Sequence, residues 1–438
     1  MNTISWPGNS VWPLWQKILF RFFFIYFILY TEPWTWLRFI PGANYILNYY
    51  YQFKNWSVNT SNDELFHVRK ELVSFNGSGD TSYGWAMLWL YLSIAVVGTL
   101  VWSLADIKRN NYNRISYWFR IVLRYMVILN CFGYGIVKIF GLQMSFPTLG
   151  HMLTPLGDFL PMRFSWLFMG YSWPYQAFSG AMEVVAGCLM LFRRTTGFGT
   201  LMAAGVFINV MMMNLSYDIP VKLFSTHLVI MCLVLLAYDY KRILSFIFNR
   251  SIIPGNLYSV SFLKKWMRIT RVVLKLALIL VVLILPFING WNNYKQRQVR
   301  KEIKPIREGI YEVSKYVINN DTIPAKYSDS LRWRDMVFER GGRGSVGTTD
   351  TMFWQRYRRG NFVYNTDTVN QTIDFTRSNL ATGETLFLFR LKYEIPDSNT
   401  IRLYGMIRKD SVFAEMKRIN RHFQLSEKQF HWVSEYNR

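Results

Sequence analysis

Five ionisable side chains, Lys138, Glu183, Asp218, Lys222 and His227, stand inside or at the mouth of apolar runs in this 438-residue chain. Lipid cannot solvate such groups, so they turn toward the interior of a helix bundle and mark either proton or ligand chemistry or a buried ion-pair network. In "YWFRIVLRYMVILNCFGYGIVKIF", 3.6 residues per turn put Arg120, Arg124, Cys131 and Lys138 on one stripe of an otherwise apolar helix. In "PYQAFSGAMEVVAGCLMLF", Gly180 and Gly187 lie on the same face as Glu183. Small residues there let another helix approach closely, and Lys138 is the expected partner of Glu183.

The stretch "NLSYDIPVKLFSTHL" carries Asp218, Lys222 and His227. Asp218 and Lys222 are one turn apart across Pro220, which suits a helix's first turn, and form a local pair. His227 is turned about 140° from Lys222 on an ideal helix, so it needs a partner on another helix.

These residues require membrane spans to hold them. Using roughly 20 apolar residues as the length of a crossing, about seven candidates emerge near 14–30, 84–104, 117–140, 174–192, 196–213, 219–238 and 269–289. The N-terminal run lacks a small-residue cleavage site and reads as a first span. The basic stretches "DIKRNNYNR", "RRTT" and "DYKRILSFIFNRSIIPGNLYSVSFLKKWMR" follow the second, fourth and sixth spans, all on one face, which the positive-inside rule assigns to the cytoplasm. The N-terminus is then cytoplasmic and the C-terminal domain external. On this topology Glu183 and His227 lie roughly 13 Å below the outer surface, with Lys138 in the same leaflet and Asp218 and Lys222 above. His151, in the loop "FPTLGHMLTPLGDFLPM", is a secondary candidate near that opening. Arg120 and Arg124 fall near the cytoplasmic end, where headgroups can meet them.

Composition agrees with a multi-span membrane protein: half the residues are hydrophobic and 18% are aromatic, bunched in long uncharged runs. The net charge of +23 is spread over loops and span ends, so it does not indicate nucleic-acid binding. Cys131, Cys188 and Cys232 sit in apolar runs without metal-type spacing and read as small buried hydrophobes; no metal site is expected. Asp80 or Thr81 is the expected N-cap of the second span, and the aromatics of the loop 31–83 suit the membrane interface.

Four regions follow. Residues 1–116 hold two spans and a long outer loop, 117–240 a four-helix unit, 241–299 a basic cytoplasmic loop and the seventh span, and 300–438 an external lipocalin-like β-domain. In the last, alternating runs such as "GIYEVSKYVI", "NFVYNT", "TLFLFRLKYEI" and "TIRLYGMI" are punctuated by "RGGRG", "RGN", "ATGE" and "PDSN". The expected fold is an α-helical membrane bundle of about seven spans with a C-terminal antiparallel β-barrel or sandwich, more readily filled by its own aromatics than by a ligand.

The segments "YGIVKIF", "SGAMEVVAGCLMLFRRTTGFGTLMAAG" and "YDIPVKLFSTHLVIMCLVLLAYD" resemble the DoxX-like family of small bacterial membrane proteins. The matching positions are Gly135, Lys138, Glu183, Gly187 and Arg193–Arg194, within 117–238. With "GSGDTSYGW", "PMRFSWLFMGYS" and "FHWVSEYNR", the chain is similar to the long form found in Bacteroidetes. The resemblance implies a bacterial inner-membrane protein with a periplasmic C-terminal domain. Named relatives imply a membrane subunit of a thiosulfate:quinone oxidoreductase and, more distantly, the HTTM helices shared with vitamin K-dependent carboxylase. The chain departs from both, having no cysteine pair in its outer loops and no carboxylase motif beyond the helices.

Two functional readings stand at this point. One is a polar site in the outer half of the bilayer that binds a quinone or lipid-like ligand in redox or envelope maintenance. Lys138 and Glu183 would be its central pair, His227 its proton carrier, and Asp218 and Lys222 its entrance. The other is a non-catalytic scaffold or assembly subunit whose β-domain binds an envelope protein partner. Whether the chain is an enzyme is open in both.

Overall fold

The expected apolar runs all fold as helices, and their ends follow local chemistry. A computed structural model describes residues 11–74, 78–248, 264–299, 305–325, 331–378, 385–427, 432–433 and 435. The turn "ATGE", much of the longest basic loop and most of the tail "FHWVSEYNR" lie outside the described residues. The chain forms two compact units, Met1–Gln143 with Trp173–Asn292, and Met144–Ser172 with Asn293–Arg438.

In the first unit α1 (Leu14–Thr31) ends at Glu32, whose φ of 43° turns the chain into a 3-10 segment, Pro33–Phe39. An amphipathic α2 (Ala43–Ser61) follows, a helix absent from the sequence expectation. Thr81 caps α3 (Ser82–Ala105) by accepting from the Gly84 amide. Then come α4 (Asn113–Ile139) and, after an excursion into the second unit through α5 (Leu149–Met152) and α6 (Pro161–Tyr171), α7 (Trp173–Met190). The helices α8 (Thr196–Ser216), α9 (Lys222–Ala237) and α10 (Tyr240–Ile247) follow. The last span, Lys265–Gln298, comprises α11 (Lys265–Ile279), a π turn and α12 (Leu285–Gln298).

The protein is a membrane protein. Among the described residues, five helical segments are long and apolar enough to cross a bilayer: Leu14–Arg38, Ser82–Ala105, Asn113–Ile139, Thr196–Ser216 and Lys265–Gln298. α9 is apolar but only 16 residues long, and α7 has its apolar character diluted by the buried Gln176 and Glu183. Within the bundle α4 packs most extensively on α7, α8 bridges α7 and α9, and α1 lies against α3. The α4–α7 contact is close because it lacks side chains: a Cβ on Gly180 would stand 2.4 Å from the Gly135 carbonyl oxygen.

The second unit contains the barrel. Strands β1 (Gly309–Ile318), β3 (Asp335–Glu339), β4 (Arg343–Val346), β6 (Arg359–Asp367), β7 (Thr372–Ser378), β8 (Thr385–Asp397), β9 (Thr400–Ile407) and β10 (Asp410–Ile419) pair in that order. The sheet closes where β1 meets β10, from Ile310 opposite Ile419 to Ile318 opposite Val412. Short β2 (Asp321–Thr322) and β5 (Trp354–Arg356) pair at its margins. All pairings are antiparallel, so this is a closed eight-stranded up-and-down barrel. Inward residues at alternate positions, among them Tyr311, Phe338, Phe362, Phe375 and Phe389, fill it with aromatic rings. Each such ring contributes about 1.5–3 kcal/mol by leaving water.

The turn expected at "RGGRG" joins β3 to β4, with Gly341 and Gly342 at positive φ. The turn expected at "RGN" is instead the start of β6. The chain reverses one step earlier, at Tyr357 and Arg358, both at positive φ without being glycine.

The segment 144–172 pads the outer wall of this barrel. Asp335, Glu339, Ser345 and Arg359 alternate with core-facing Met336, Phe338, Val346 and Gly360, so their side chains point outward. Gly150 donates its amide to Glu339 Oε1 at 3.1 Å, and a Cβ there would meet Ser345 Oγ at 2.8 Å. Asp158 pairs with Arg358 at 3.1 Å, and Arg163 donates to the Tyr357 hydroxyl at 3.0 Å. Under the padding Asp335 pairs with Arg359 at 2.5 Å. Burial acts to raise the Asp335 carboxyl, but Arg359 and Arg334 beside it prevail and hold it below the usual range.

Candidate functional site

The polar residues picked out from sequence do not form one cluster. They separate into three arrangements in the first unit, and His151 belongs to the second unit.

Lys138 near the end of α4 and Glu183 in the middle of α7 form a buried ion pair, the ammonium donating to Glu183 Oε1. The local sequence dictates the contact. Gly135 and Gly180 bring the two backbones together, and Gly187 does the same two turns on, where an added Cβ would stand 2.7 Å from the Phe132 ring. The second carboxylate oxygen, Oε2, is buried and has no hydrogen-bond partner among the described residues. An unmet acceptor in so apolar a setting costs about 1–3 kcal/mol or more, which makes it the natural place for a further donor.

His227 on α9 finds its partner on α1. Its Nδ1 lies 2.5 Å from the Leu223 carbonyl oxygen and its Nε2 2.5 Å from the Tyr26 hydroxyl. A carbonyl only accepts, so Nδ1 carries a proton; in the neutral imidazole Nε2 then accepts and the Tyr26 hydroxyl donates. Tyr30 stacks flat on the imidazole, with ring centroids 3.9 Å apart and planes 4° from parallel. Among the described residues no hydrogen bond or ion pair joins His227 to Lys138 or Glu183. The pocket expected between the third, fourth and sixth spans must therefore be redrawn, because His227 is satisfied by the first.

Asp218 and Lys222 do pair, at 2.6 Å, with the Asp218 side chain largely exposed. Pro220 lies outside the helix and not in its first turn, since α9 starts at Lys222. The start of α9 is held by Asp80 of the loop before α3, which accepts from the backbone amides of Lys222 and Leu223 at 2.8 and 2.9 Å. Asp80 is thus a capping residue for α9, while Thr81 caps α3.

The secondary candidates also have other duties. The Arg120 guanidinium lies 4.8 Å from the centre of the Tyr238 ring, and Arg124 reaches Thr196 Oγ1 at 3.4 Å. Both lie about four to five turns from Lys138 along α4. His151 forms a capping box with Thr148 and faces Phe159 and Tyr357. Burial, with Arg163 and Arg356 nearby, pushes its pKa down to about 4, so its imidazole is neutral at physiological pH. The three cysteines are free, Cys131 and Cys232 buried and Cys188 half-buried.

Comparison with known proteins adds little to this geometry. No family model matches the chain, and no solved structure matches it. A stretch of 78 residues is 31% identical to the uncharacterized protein YwoB of Bacillus subtilis (strain 168), covering 18% of this chain and 51% of that protein. The chain thus spans about half the length of this curated relative.

Three participants were not singled out from sequence: Tyr26, Glu32 and Arg21. Arg21 is buried in α1 and donates to the Tyr112 hydroxyl at 2.7 Å and to Ser103 Oγ at 2.7 Å. Glu32 accepts from Lys54 at 2.8 Å and from the Tyr91 hydroxyl at 2.9 Å, tying α1, α2 and α3 together. A charge at position 21 within "LWQKILFRFFFIYFILYT" was the available signal for Arg21; Tyr26 is one aromatic among many and carried none.

Proposed function

We propose that this is a DoxX-like bacterial inner-membrane protein whose Lys138–Glu183 pair forms an intramembrane site for a quinone or lipid-like ligand. The observation that carries this reading is the buried Glu183 Oε2, which has no partner among the described residues. Beside an ammonium donor it offers an acceptor for a hydroxyl, a donor and acceptor set suited to a quinol headgroup. Lys138 and Glu183 would hold that headgroup, and the Tyr26–His227 pair would be a neighbouring proton carrier. The basic loops after α3, α7 and α9 support a cytoplasmic N-terminus, and with it a periplasmic barrel. The test is mass spectrometry of molecules retained by protein purified in native-lipid nanodiscs. The wild type is expected to retain a quinone or a specific lipid, and Glu183→Gln to lose it. An equal yield from both would overturn the reading.

A second reading is favoured by a different observation, the direct backbone contact at Gly135 and Gly180. Such packing suits a rigid scaffold in which the ion pair fixes helix register and the barrel binds an envelope partner. That reading expects the paired replacement Lys138→Met with Glu183→Leu to keep function, whereas the ligand reading expects function to be lost although the fold survives.

A further inference from the structure

The helix α2 has three distinct faces, and only one of them is covered by the protein. At about 100° per residue, Leu47, Lys54, Val58 and Ser61 share one side. Leu47, Val58 and Ser61 are buried, and Lys54 is fixed to Glu32. Roughly a quarter-turn away, Asn44, Asn48, Gln52, Asn55 and Asn59 form an exposed amide stripe. The remaining side carries Tyr45, Ile46, Tyr49, Phe53 and Trp56, which are 80%, 72%, 74%, 63% and 62% exposed. Five large apolar side chains at helical spacing do not stay in water by default; a contiguous patch of that kind marks a contact surface.

We infer that α2 lies flat in the headgroup–acyl boundary of one membrane leaflet, with its aromatic side in lipid and its amide stripe in water. Several observations favour lipid as the occupant. The chain enters α2 from the span Leu14–Arg38 and leaves it toward the span Ser82–Ala105, so the helix is tethered at both ends to membrane-crossing segments. α2 itself is not among the helices apolar enough to cross. The neighbouring elements also expose aromatic rings, Trp36 before it and Trp85 and Trp89 at the start of α3. Tyrosine and tryptophan are the side chains that favour this boundary, having an apolar body and a polar tip. The anchor is also placed for the task. The Glu32–Lys54 pair and the 2.5 Å hydrogen bond from the Tyr83 hydroxyl to Asn55 Oδ1 fix the roll of α2 about its axis. The aromatic side is therefore presented at one angle and not averaged around the helix.

Spin labels on the full-length protein in liposomes of phosphatidylethanolamine and phosphatidylglycerol test this directly. Cys188→Ala provides the background, because Cys131 and Cys232 are buried from the label. Labels replacing Tyr45, Tyr49, Phe53 and Trp56 are expected to collide with oxygen more than with a water-soluble nickel complex, all at one shallow depth. Labels replacing Asn48 and Gln52 should show the reverse preference. A label at Leu100, on the exposed side of α3, should report a greater depth than any site on α2. Nickel accessibility on the aromatic side would overturn the inference, as would a depth graded along α2. Exclusion of both reagents there would overturn it too, since a protein partner or a second copy would then be the occupant.

Discussion

Lys138 and Glu183 meet across the α4–α7 contact with one carboxylate oxygen engaged and the other buried without a partner among the described residues. Removing only one charge leaves the other stranded, so Lys138→Met or Glu183→Leu alone should cost about 3–5 kcal/mol of stability. The double replacement should recover most of that loss. Unfolding in detergent micelles, followed by circular dichroism across all four proteins, gives the comparison. Additive losses would show that the two groups are not energetically coupled.

The glycines that permit this contact are not equivalent. Gly180→Ala places a methyl against the Gly135 carbonyl and the Ile139 amide, backbone atoms that cannot step aside. A loss of about 1–3 kcal/mol is expected from overpacking. Gly133→Ala meets nothing within 4 Å and should be neutral or stabilising by about 0.5–1 kcal/mol through helix propensity. The same melting experiment reads both.

Tyr26→Phe removes the donor to His227 Nε2 and leaves a buried acceptor unmet, at a cost of about 1–3 kcal/mol. Nitrogen-15 spectra of labelled histidine should show His227 protonated at Nδ1 in the wild type. A proton on Nε2 would contradict the assignment of Tyr26 as donor.

The second unit should be sensitive to acid through His151. Its folded pKa, about 4, is depressed below the ordinary value of 6.5, because burial first, and then Arg163 and Arg356, disfavour the cation. The unfolded chain therefore binds this proton first. The His151 contribution is complete above pH 6.5, falls as pH drops from 6.5 toward 4, and totals roughly 3 kcal/mol. His151→Gln should flatten the pH dependence of barrel unfolding over that window. Near-ultraviolet circular dichroism of the buried aromatics reports it, and an unchanged slope would remove His151 from the account.

Glu339 acts in the opposite sense. Burial raises its carboxyl above the usual range, although Gly150 and Thr148 donate to it. Its stabilising effect is greatest below the unfolded pKa and is lost as pH rises through the folded value. Glu339→Gln keeps an acceptor for the Gly150 amide and removes the buried charge, so it should raise barrel stability at pH 8 and change little at pH 4. Lower stability at both pH values would indicate that the carboxylate itself is needed.

Much of this was legible in the linear sequence, for reasons that are local. Apolar runs of bilayer length give helices because lipid leaves the backbone no other partner, and the runs at 14–30 and 84–104 became Leu14–Thr31 and Ser82–Ala105. "GIYEVSKYVI" and "TIRLYGMI" became β1 and β9 at the same bounds because alternation and turn residues act over a few positions. The pairing of Lys138 with Glu183 was also readable, since Gly180 and Gly187 mark the side of α7 that another helix can approach. What depended on distant segments was not readable. Nothing in "IYFILY" shows that Tyr26 will meet a histidine 201 residues away. Nothing around Asp80 shows that it will cap α9 instead of its own helix, because a carboxylate serves whichever amides the fold brings to it. The padding of the barrel by 144–172 is of the same kind. The sequence by itself determined which side chains must leave lipid or water, through periodicity and composition. Only the tertiary structure decided which of them meet, because partner choice is settled by packing between segments far apart in the chain, where hydrogen-bonding capacity alone leaves many pairings open.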